Sequence, residues 1–100
     1  MAAPTHATVA FFSMDLTMEE AQLRGLHDFI VPSVHSAPGF VTGYWTLDRA
    51  ASESVAFIVF DSKDAAEALA ANVRDNASNQ VAVGITLVSI RVVEMTAIAP

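Results

Sequence analysis

The side chains of this 100-residue chain best able to move a proton or grip a ring are few: three histidines, one tyrosine and one tryptophan, with no cysteine. Histidine is the one side chain whose unperturbed charge change falls near neutral pH, so at a pocket mouth it can take a proton from a phenol-like molecule. His35 stands just before Ala37-Pro38-Gly39, a turn beside which a pocket between helices and a sheet would open. His27 lies ~40° around a helix from Leu23, at the edge of an apolar stripe, where it either looks into a cavity or reaches water. Tyr44 and Trp45 are neighbours in an extended run, so they point to opposite faces of a sheet and cannot both line one pocket wall. The Tyr44 side also carries Thr42 and Thr46, a row of hydroxyls suited to orienting a phenolic or carbonyl ligand. The Trp45 side carries Val41, Gly43 and Leu47 and reads as packing, since buried aromatics usually serve a core.

Other chemistries lack their groups. Without cysteine there are no disulfides, iron–sulfur clusters or thiolate zinc sites, which fits a reducing compartment. No His, Asp or Glu residues fall at ligand spacing, so no metal is expected. There is no glycine-rich phosphate loop and no Gly-x-Ser-x-Gly elbow, and Ser13, Ser33 and Ser36 have no paired base. No cofactor is therefore expected. The formal charge is −6, with five basic residues scattered along the chain, which excludes a phosphate-backbone footprint; neither nucleic acid nor an anionic membrane is an expected partner. No apolar run approaches the ~20 residues that span a bilayer. Residues 1–6 carry no Lys or Arg and lead straight into a strand, unlike a signal peptide, so the expected location is cytoplasmic. Arg91, alone in an apolar strand, is either near a sheet edge with its guanidinium in solvent or paired with a buried carboxylate; the edge is the expectation.

The elements that would position these residues follow from periodicity. Residues 8–14 are β-branched and aromatic and read as a strand. Thr17-Met18-Glu19-Glu20 reads as a capping box opening a helix whose Leu23, Leu26 and Ile30 share one side. Pro32 should break or kink that helix before a last turn through Val34. Residues 40–47 and 55–60 read as two strands around a polar hairpin loop. Asp61 or Ser62 should cap a second helix with a narrow stripe of Ala65, Ala66, Leu69 and Val73, fraying near Asn76. Residues 83–93 form the last strand. The expected fold is α+β, a single domain of β-α-β-β-α-β order with a four-stranded antiparallel sheet and two helices on one face.

The strands do not alternate apolar with polar as a sheet with one wet face would. The third offers Val55, Phe57 and Val59 to one side and Ala56, Ile58 and Phe60 to the other. Two helices can cover one face only, so the other calls for a second molecule, and a homodimer through the sheet face is the expected partner arrangement.

Pro32 near the end of the first helix, Pro38-Gly39-Phe40 opening the second strand, and Val59-Phe60-Asp61-Ser62-Lys63-Asp64-Ala65-Ala66 entering the second helix resemble the dimeric α/β-barrel superfamily, within it the antibiotic-biosynthesis-monooxygenase-like proteins. The likeness runs from Thr8 to Met95. It implies a ferredoxin-like dimeric α/β barrel and, as function, a cofactor-independent monooxygenase-like enzyme acting on an aromatic or polyketide-like small molecule. The alternative is a non-catalytic dimer that binds a small ligand or mediates an interaction. The haem-degrading branch is similar in its use of an Asn on the first strand, a Trp in the sheet and a His on the second helix; this chain departs at each place, with no Asn on strand one, no Trp on strand three and no His in residues 62–76. The cofactor-free oxygenases commonly use Trp, Tyr, Asn or His. Tyr44 and Trp45 are of these types, without a position-by-position match to that pattern. From their places in the chain His35 is expected as proton acceptor and Tyr44 as the group holding a phenolic oxygen, with Thr42, Thr46, Trp45 and His27 as substrate-binding residues.

Overall fold

A computed structural model describes residues 3–100 of the chain; of the terminal run 1–6 read above, residues 1 and 2 lie outside the described residues. Strand β1 (His6–Met14) runs between β3 (Glu53–Phe60) and β4 (Ile85–Glu94), and β2 (Phe40–Asp48) completes the sheet in the order β2-β3-β1-β4. All three pairings are antiparallel. The sheet and its two helical layers have the ferredoxin-like β-α-β-β-α-β order expected from the sequence. Arg91 is exposed on the edge strand β4, and β1 begins at His6, two residues before the strand expected from the sequence.

The first helical layer is an arm of several pieces: a 3₁₀ turn Leu16–Met18, helix α1 (Glu19–Gly25), a π-helical turn Leu26–Ile30 and helix α2 (Val31–His35). Its start corrects the capping-box expectation. Asp15 caps the arm, accepting from the Thr17 backbone N–H at 3.1 Å and from the Thr17 hydroxyl at 2.6 Å. These two bonds hold the Asp15 carboxyl below its ordinary pKa. The expected interruption at Pro32, with a last helical turn through Val34, takes the form of a π-helical turn. Pro32 cannot donate to the preceding turn, and the backbone meets this with the wider turn, in which the Val31 N–H reaches back five residues to the Leu26 carbonyl.

The arm ends at Ser36, and the chain turns through Pro38-Gly39 into β2. Gly39 has φ +81°, and a Cβ there would stand 2.5 Å from Asp61 Oδ1 and 3.0 Å from the Ala65 Cβ. Only glycine fits this crossing of two chain segments, which is closed by the Asp61 N–H donating to the Gly39 carbonyl at 2.9 Å. Helix α3 (Lys63–Gln80) is capped by Ser62, whose Oγ accepts from the Ala65 N–H. It continues past Asn76, where fraying was expected, and Asn76 Nδ2 donates to the Asn72 carbonyl one turn back.

Ala10, Ala56, Ile58 and Phe60 from the sheet, Val34 from α2 and Ala66 from α3 make the core, on one face of the sheet. The small side chains of Ala66 and Ala70 let α3 lie close, and Thr8 Oγ1 donates to the Ala66 carbonyl at 2.7 Å across the buried contact. The other sheet face, which no helix covers, bears half-buried Val9, Phe11, Val55 and Phe57 with Tyr44, 59% exposed.

Candidate functional site

The helical arm does not seat fully on the sheet. On the floor below it Ala10 and Ala56 are too short to fill the gap, while Leu23 and Phe29 of the arm are 46% and 72% exposed instead of packed. The result is a cavity of about 1150 Å³ between helices and sheet, at the upper end of the ~300–1,000 Å³ usual for small-molecule sites. Phe12, Trp45 and Ile58 wall it from the sheet, Leu26 and Ile30 from the arm, and Leu69 from α3.

Trp45 reaches the cavity because of its neighbour two residues back. A Cβ at position 43 would stand 3.2 Å from two carbons of the indole ring and 3.0 Å from Ile58 Cδ1, so the indole lies over bare backbone at Gly43. Strand alternation then sends Tyr44 the other way. It pairs with Phe57 on the open face, as Thr42 pairs with Val59 and Thr46 with Val55. The expectation that the Tyr44 side meets the pocket while Trp45 packs is therefore reversed: among the described residues Trp45 lines the cavity, and Tyr44 and Thr42 do not. Thr46 contributes to the cavity rim, with its hydroxyl donating to the Val55 carbonyl at 2.8 Å.

Neither His27 nor His35 lines the cavity. His27 is exposed on the π-helical turn. His35 is exposed at the end of α2, its ring tilted against Phe40 with centroids 5.4 Å apart. Within the chain His35 and Tyr44 are thus not brought together at the cavity.

The polar groups that face the cavity include Gln22 and Ser33 from the arm, Ser62, Asn72 and Asn76 at and along α3, and the carboxylates Glu19, Asp61 and Asp64. Glu19 is engaged by Arg49 of the β2–β3 hairpin, whose Nη1 stands 2.6 Å away; that bond raises the Arg49 pKa above its ordinary value. No Lys, Arg, His or Tyr is on the wall, and no cluster of three or more His, Cys, Asp or Glu able to hold a metal occurs among the described residues. Gln22 went unread in the sequence, although its signal is visible there: it occupies the apolar stripe of the arm, four residues before Leu26.

No family model and no curated protein matches the chain. Solved structures do. MupZ from Pseudomonas fluorescens aligns with a TM-score of 0.70 at 14% identity, over 90% of this chain and 71% of that one. A dimeric ferredoxin-like protein from an uncultured marine organism aligns at 0.67 and 8% identity, over 96% and 98%. A monooxygenase of Streptomyces coelicolor, ActVA-Orf6, crystallised with the ligand nanaomycin D, aligns at 0.63 and 17% identity, over 97% and 93%. At these identities the likeness is one of fold: the chain has the ferredoxin-like fold.

Proposed function

We propose that the protein is a homodimer that takes a small aromatic or polyketide-like molecule into the cavity between helices and sheet, and oxygenates it without a cofactor. The observation that carries this reading is the cavity itself, large, mostly apolar and walled by the single tryptophan. The monooxygenase of the same fold, crystallised with nanaomycin D, supports the ligand class. The reaction balances without an external reductant if a phenol-activated ring CH₂ becomes C=O: one oxygen atom of O₂ enters the ring and the other leaves as water, with the substrate supplying the electrons.

A second reading is a dimer that binds such a ligand without transforming it. The absence of histidine, tyrosine and lysine from the cavity wall favours it. Oxygen uptake with a panel of quinols and anthrone-like phenols, alongside equilibrium dialysis of the same compounds, separates the two. Uptake that survives His35→Ala and Tyr44→Phe but falls at least tenfold in Trp45→Ala supports an enzyme working from the cavity. Binding without uptake selects the second reading, and neither binding nor uptake discards both.

A further inference from the structure

Gln22 is the one long polar side chain buried within the apolar stripe of the arm, only 6% exposed. Its Nε2 donates to the Asp15 carbonyl at 2.8 Å and to the Val83 carbonyl at 2.9 Å, tying α1 to the end of β1 and the approach to β4. A primary amide has two donor hydrogens, and both are used. Turning the amide over would set Oε1 against two carbonyl oxygens, so its orientation is fixed. Oε1 then has no hydrogen-bond partner among the described residues, yet it is not sealed from a water-sized molecule. Gln22 lines the cavity and also a smaller pocket of about 230 Å³ between the arm and the end of α3. A fixed acceptor of this kind is where a donor on a ligand gains most and a group without one leaves the acceptor unpaired.

The charged groups on the wall are all acidic: Glu19, which is paired with Arg49, and Asp61 and Asp64. Asp61 and Asp64 oppose an anion and leave a neutral donor unaffected.

We propose that Gln22 Oε1 reads a hydroxyl or N–H on the ligand, so that the cavity selects neutral, hydrogen-bond-donating ring compounds over their alkylated and carboxylate counterparts. This rests on the cavity being the ligand site. The test is equilibrium dialysis of the wild-type protein against 2-naphthol, 2-methoxynaphthalene and 2-naphthoate, with indole and N-methylindole as a second pair. The donor of each pair should bind about tenfold tighter than its methylated partner, and naphthoate should bind no better than the ether. Gln22→Met, which keeps length but cannot accept in the same way, should bring each ratio close to one. If that variant fails to fold, the two wild-type ratios decide alone. A ratio of one in either pair, naphthoate binding tighter than naphthol, or ratios preserved in folded Gln22→Met would overturn the assignment. Equal binding of all compounds would remove Gln22 as selector and leave the cavity as a ligand site; no binding by any of them would remove both.

Discussion

At the scale of single residues, the site turns on a glycine. Gly43 has no chemistry, yet its missing side chain lets the Trp45 indole lie along the sheet and keeps the space above it open. Gly43→Ala should lower the entropy of the unfolded chain and so leave stability within about 1 kcal/mol of wild type. Its methyl, 3.2 Å from the indole, must push the ring toward the cavity. The expected result is a shifted emission maximum of the single tryptophan and ligand affinity reduced several-fold, with the melting temperature nearly unchanged. An unaltered spectrum and affinity would mean that Trp45 does not depend on that contact. The sequence showed that Tyr44 and Trp45 must part company, because alternation in a strand is a matter of geometry. It did not show which of the two faces inward. Thr42 and Thr46 made the Tyr44 side look like the binding side, and the deciding fact, an indole resting on Gly43 and Ile58, is a contact between strands that no local pattern carries.

At the scale of elements, the two helical layers differ in how firmly they are held, and that difference makes the cavity. Helix α3 is pinned by its Ser62 cap, by the Thr8–Ala66 hydrogen bond and by an alanine-lined face. The arm opposite is built from a 3₁₀ turn, a short helix, a π-helical turn and another short helix, with large apolar side chains left half out. Ser62→Ala should therefore cost about 1 kcal/mol, lowering the melting temperature by roughly 4–8 °C, because the Ala65 N–H loses its acceptor in the first turn of α3. A thermal melt checks this, and an unchanged melting temperature would show that the cap contributes nothing measurable. Legibility followed the same division. Ser62 was one of two caps readable from the sequence, and Pro38-Gly39 was readable as a turn. The π-helical passage around Pro32 was not, because a proline in a helical pattern predicts a break unless a neighbouring turn widens to absorb it, and that choice is made by packing.

At the scale of the whole molecule, the sheet has one face committed to its own helices and one without cover. The clearest inference from the strands was that both faces are apolar, and the structure assigns each: Ala56 and Ile58 look into the core and cavity, while Val55 and Phe57 look out beside Val9, Phe11 and Tyr44. If the open face is the dimer surface, two substitutions one residue apart should have different consequences. Ile58 is 3% exposed in the core, so Ile58→Asp buries an unpaired charge within the protomer and should abolish folding, seen as loss of the circular dichroism signal. Phe57 is only half-buried in the protomer, so Phe57→Asp should retain helix and sheet while losing association. Light scattering should then report about twice the 10.6 kDa chain mass for the wild type at micromolar concentration and the single chain mass for Phe57→Asp. A wild-type monomer, or a Phe57→Asp protein that stays dimeric, would show that the open face is not where two copies meet.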